Sequence, residues 1–113
     1  MAFDPSLAER VRTALGARSG VTERRMFGGL AFLVDGKMFM GVRNSSLMAR
    51  VGPERHKDAL AMPYVRVMDF TGRPMKGYVY VDPPAIADDS QLKAWVSWCA
   101  QYVAGLAAKA MKQ

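Results

Sequence analysis

The chain has 113 residues, half of them hydrophobic and 23% charged, which excludes an intrinsically disordered protein and fits a single domain spanning 1–113. One cysteine, Cys99, excludes an internal disulfide, and no apolar run approaches the ~18 residues of a membrane helix. A net charge of +6 suits nucleic acid or acidic partners, but no basic run exceeds the pair Arg24-Arg25.

Asp4 as N-cap and Pro5 at the first helical position open a helix with Leu7, Val11, Ala14 and Leu15 on one face. Ser19-Gly20 is its expected stop. Strands are expected at Leu30 to Val34 and Lys37 to Arg43, joined by Asp35-Gly36, a strong hairpin signal. Asn44-Ser45 turns the chain into a third strand, Ser46 to Val51. A short helix runs from Pro53 to about Met62, then strands near Val65 to Asp69 and Lys76 to Asp82. Asp88 or Asp89 caps the last helix, whose stripe of Leu92, Trp95, Val96, Cys99, Tyr102, Val103 and Leu106 reads as core-facing. The order α-β-β-β-α-β-β-α implies a two-layer α+β domain, with a five-stranded antiparallel sheet and helices packed on one face.

Two-residue turns fix the register of the hairpin. They oppose Val34 to Lys37, Leu33 to Met38, Phe32 to Phe39, Val42 to Leu47 and Met40 to Ala49. One face then gathers Ala31, Leu33, Met38, Met40, Val42, Leu47, Ala49 and Val51, the expected core. The other gathers Leu30, Phe32, Val34, Phe39 and Met48, with Lys37, Arg43 and Arg50 at its margins. An open antiparallel sheet ordinarily shows a polar second face. Phe32, Phe39, Met48, Arg43 and Arg50 are therefore the candidate partner face. Cover by the chain itself and a homodimer contact are the two leading readings, ahead of nucleic-acid binding by stacking and phosphate contacts.

Residues of chemical interest are few. His56, the only histidine, reads as a surface residue in a charged stretch, and Cys99 as a buried structural thiol. No catalytic, cofactor or metal site is expected, since one histidine and one cysteine do not make a typical zinc site. Gly28-Gly29 precedes a strand rather than a helix, so it reads as a bend or close approach rather than a phosphate loop. Arg73 and Lys76, with Arg24 and Arg25, form the candidate anion or basic patch.

Three blocks carry a family resemblance. Asp4-Pro5 with Arg10-Val11-Arg12 and Val21-Thr22-Glu23-Arg24-Arg25-Met26-Phe27-Gly28-Gly29-Leu30-Ala31-Phe32 resembles the N-terminal domain of the TfoX/Sxy family. The run from Met68 to Val81, containing Gly72-Arg73-Pro74-Met75-Lys76-Gly77, looks like the second block of that family, and Asp88-Asp89 to Trp95 like its final helix. The resemblance implies a two-layer α+β fold and a regulatory role, because named members are competence-gene regulators that act as co-activators through protein contacts. It implies no catalytic residues. The expectation is a stand-alone domain of this family: a non-catalytic, cytoplasmic protein-interaction module, a homodimer, with a transcription factor or other protein as partner. Nucleic-acid binding through a basic sheet face, or small-anion binding or catalysis around Arg73 and Lys76, is the alternative. The N-terminus lacks the basic and apolar regions of a signal peptide, and no membrane association is expected.

Overall fold

The computed structural model describes residues 3–16, 20–26, 28–70 and 73–111, with the backbone alone at 70, 73, 74 and 107–111. Helix α1 covers Pro5–Leu15, opened by the Asp4 carboxylate accepting from the Ser6 amide at 2.9 Å. It ends at Gly16, where φ is +65° and the amide donates back to the Arg12 and Thr13 carbonyls, several residues before the Ser19-Gly20 stop expected from sequence. Strand β1, Val21–Met26, follows and is not among the five strands expected. Its Thr-Glu-Arg-Arg centre is exposed and lacks the alternating pattern of a half-buried strand. It is held by pairing with its neighbour, from Val21 opposite Val34 to Met26 opposite Gly29.

Strands β2 (Gly29–Val34), β3 (Lys37–Arg43) and β4 (Ser46–Arg50) form the expected meander. Asp35 and Gly36 both take positive φ, +51° and +79°, as a two-residue turn of the type favoured by right-twisted strands requires. A 3-10 turn at Pro53–Arg55 and helix α2, His56–Leu60, lead to β5 (Val65–Phe70) and β6 (Arg73–Val81). After a second 3-10 turn at Pro83–Ile86, helix α3 runs over Asp89–Met111. At its start the Gln91 side chain accepts the Asp88 amide and the Asp88 carbonyl accepts the Leu92 amide, which places the N-cap at Asp88. The sheet is antiparallel with six strands rather than five, in the order β1-β2-β3-β4-β6-β5.

The helices lie on one face, as expected, and build the main core. Leu7, Val11 and Leu15 of α1, Ala59 of α2, and Leu92, Trp95, Val96, Cys99 and Val103 of α3 pack on Leu30, Phe32, Phe39, Met40, Val42, Leu47, Ala49, Val79 and Val81. Leu30, Phe32 and Phe39 correct the face assignment. Val34–Lys37 and Leu33–Met38 pair as expected, but Phe32 then opposes Met40, because Phe39 is bulged out of register. One extra residue on β3 reverses the faces of β2 relative to the rest of the sheet. Phe32 and Phe39, expected on a partner face, are therefore fully buried beneath the helices. Ala31, Leu33 and Met38, expected in that core, lie on the opposite side.

Candidate functional site: the helix-free sheet face and its free edge

The second face of the sheet carries its own small core. Ala31, Leu33, Met38, Met48, Met68 and Tyr80 are buried there, with Met26, Met75 and Tyr78 packed at the rim. Every one is a strand residue, and among the described residues no helix contributes to this cluster. A sheet buries a face in this way by twisting and coiling until strands several places apart lean over it. Five of the nine methionines fall in this set, and their flexible thioethers suit an irregular concavity.

Arginines ring this concavity. Arg43 donates to the Tyr80 hydroxyl at 2.7 Å, and its guanidinium lies 6.0 Å from the Tyr80 ring centroid. Arg66 covers the same ring at 5.0 Å while its Nε and Nη2 grip both oxygens of Asp82 at 2.7 and 2.8 Å. Ser46 Oγ donates to the same carboxylate at 2.8 Å. The Arg66 hydrogen bonds hold the Asp82 carboxyl below its ordinary range, and Asp82 in turn raises Arg66. Arg50 sits 5.4 Å from the ring centroids of both Tyr78 and Tyr102, so it bridges the sheet to α3, and it donates to the Met38 carbonyl. Burial raises the Tyr78 phenol, with Arg50 opposing the shift.

These contacts sort the residues singled out from the sequence. Of those expected on the partner face, Met48, Arg43 and Arg50 are on the helix-free side, and Phe32 and Phe39 are not. Nor are Tyr78 and Tyr80 open platforms for stacked bases, since Tyr80 is 5% exposed and guanidiniums lie over both rings. Arg24 and Arg25, adjacent on β1, project to opposite faces, Arg25 reaching the Phe3 ring at 5.7 Å on the helix side. They do not form one patch. Lys76 is exposed on β6, and the side chain of Arg73 lies outside the described residues.

The edges of the sheet differ from each other. β1 is guarded by Glu23, Arg24 and Arg25, and Glu23 is fixed by a fork of two 2.8 Å bonds from Arg12, which lowers its carboxyl. At the other edge β5 pairs only with β6. Helix α2 is five residues long and leaves Met62, Tyr64 and Val67 exposed, at 41%, 59% and 44%. Tyr64 also holds φ +63°, uncommon for an aromatic residue, while Asp35 and Asn44, the other non-glycine residues at positive φ among the described residues, are ordinary turn formers. No signal in the sequence marks this edge, because its exposure follows from strand order and from the shortness of α2.

A cleft of about 340 Å³ opens beside α3, lined by Val51, Pro53, Arg55, Trp98 and Tyr102 among others. Arg55 lies 4.1 Å over Trp98, which stacks on Trp95 at 5.1 Å. The Trp98 indole nitrogen and His56 Nε2 are buried without partners, so His56 is less solvated than its charged neighbours suggest. Among the described residues, no three His, Cys, Asp or Glu side chains gather as metal ligands, and no helix is long and apolar enough to cross a membrane. Cys99 is fully buried and its thiol is pushed up to about 12 by that burial.

The family model of the TfoX N-terminal domain matches residues 13–102. The chain belongs to the TfoX N-terminal domain family. The TfoX match begins inside α1 and ends within α3, so it takes in the whole sheet, including the arginine-ringed face and the β5 edge. No curated protein matched the chain.

Proposed function

We propose that this TfoX N-terminal domain is a non-catalytic protein-interaction module of transcription control, and that its first partner is a second copy of itself, joined through strand β5. The observation that carries the reading is the free β5 edge with exposed Met62, Tyr64 and Val67 beside it. An unpaired edge offers a row of backbone donors and acceptors, and exposed apolar side chains add the driving force for burial. Backbone strain at Tyr64 points the same way, since strain persists where the surroundings over-determine it. Antiparallel pairing about Val67 sets that residue against its own copy and keeps both helical layers on the same side, the self-complementary arrangement of a two-fold dimer. The competence regulators with which the family is associated supply the setting, and a transcription factor is the further partner.

Light scattering across protein concentration tests the pairing. The expected result is a mass of two chains, with association strengthened by salt, because each copy carries +6 and screening reduces their repulsion. Val67→Lys, at an exposed position, should return the mass to one chain without lowering the melting temperature. A one-chain mass for the unaltered protein at every concentration and salt level contradicts the reading.

A further inference from the structure

Among the described residues, Arg43 and Arg66 converge on a hollow; Arg66 belongs to β5, but its side chain turns over the Tyr80 ring on the helix-free face, whereas pairing would use the backbone of that strand. Arg43, Asn44, Ser46, Arg66 and Tyr80 line a recess of about 110 Å³ on the helix-free face. Liquid water occupies about 30 Å³ per molecule, so the recess has room for one compact tetrahedral oxyanion. We propose that it binds a phosphoryl group, as inorganic phosphate or as the end of a phosphate monoester.

The charge arrangement favours an anion. Arg66 is neutralised by Asp82, whose two oxygens are both engaged, one by Arg66 Nε and the other by Arg66 Nη2 and Ser46. Arg43 has no carboxylate partner among the described residues. One of its nitrogens is spent on the Tyr80 hydroxyl, which leaves the rest of a rigid planar fork to donate. That fork is also held in place. Tyr80 lies on one side, and on another lies Gly28, where a Cβ would come within 3.5 Å of Arg43 Nε. Gly28 needs to be glycine for its φ of +73°, and its backbone packs beside the guanidinium at ordinary contact distance. Asn44 at the rim supplies an amide donor from a left-handed turn position. A preorganised guanidinium loses little freedom on binding, which is what a small ligand with few atoms requires.

Nuclear magnetic resonance of the full chain, labelled with nitrogen-15, reads the site directly through the arginine side-chain Nε signals. Orthophosphate and glycerol 3-phosphate are titrated against sodium chloride at matched ionic strength. Saturable shifts of Arg43 and Arg66 with both phosphates and not with chloride are expected. Arg43→Gln should weaken binding about tenfold or more, as loss of a charge-assisted hydrogen bond implies. Asn44→Asp places an acid at the rim on a backbone that aspartate tolerates, and should abolish the shifts with the melting temperature unchanged. Arg24→Gln, on the same face but outside the recess, should bind as the unaltered chain does. Equal shifts with chloride, undiminished binding in Asn44→Asp, or binding of an unphosphorylated oligothymidylate without binding of orthophosphate would each overturn the proposal. Because Arg66 lies on β5, the titration is repeated on Val67→Lys, where unchanged phosphate binding separates the recess from the pairing of two copies.

Discussion

Truncating Phe39 to alanine separates the observed register from the one a simple two-residue hairpin implies. In the simple register with an open second face, Phe39 stands uncovered, and its loss would cost well under ~1 kcal/mol. In the bulged register the ring is 0% exposed among α1, α3 and the central strands. Removing a buried phenyl ring there should cost about 3–5 kcal/mol, the transfer of the ring plus the cavity it leaves. Against a total stability of about 5–15 kcal/mol, that is a large fraction. With an unfolding entropy of about 2.1 cal/mol/K per residue, the 113-residue chain should lose roughly 12–20 °C in melting temperature. Urea unfolding followed by fluorescence of Trp95 and Trp98 measures the cost. The midpoint should fall with the slope unchanged, as for a pure stability effect. A loss below ~1 kcal/mol would refute the bulge and return Phe39 to the open face.

Other consequences follow from the same contacts. Gly29→Ala should be among the most damaging glycine substitutions, because its Cβ would lie against the Val42 carbonyl, backbone that has nowhere to yield; a melting scan of Gly29→Ala beside Gly36→Ala, where nothing is within 4 Å, isolates packing from backbone preference. Cys99 should resist a thiol reagent at neutral pH in the folded protein and react at once in denaturant, since burial both shields it and raises its thiol to about 12. Asp82 and Glu23 have folded-state pKa values lowered by Arg66 and Arg12, so the unfolded chain binds protons first as pH falls. Their contribution is therefore complete above the ordinary carboxylate pKa of about 4 and fades below it, and Asp82→Asn should flatten the acid limb of a stability-against-pH profile.

Much of the fold is legible in the sequence because its signals are local. Asp4-Pro5, Asp35-Gly36 and the apolar stripe of α3 each act within one turn or one helix face. β1 is hidden because its exposed Thr-Glu-Arg-Arg centre carries no burial pattern, and only pairing with β2 makes it a strand. The exchanged faces of β2 have the opposite origin. A bulge adds one residue without any glycine or turn signal at Phe39, yet it reverses two strands relative to each other. Met48, Arg43 and Arg50 keep their expected side because the Asn44-Ser45 turn holds its two-residue register, with Arg43 opposite Ser46. The Arg43–Arg66 recess joins residues far apart in the chain, and the β5 edge is local in sequence but left open only by the strand order, so no motif could announce either.

Hydrogen exchange measured strand by strand at low and high protein concentration tests the central claim most directly. If two copies pair through β5, amides of Val65–Phe70 that face away from β6 should exchange freely in dilute solution and become protected as concentration rises, while β1 stays unchanged. Protection of β5 that is indifferent to concentration, or protection that grows elsewhere on the surface, would contradict the account.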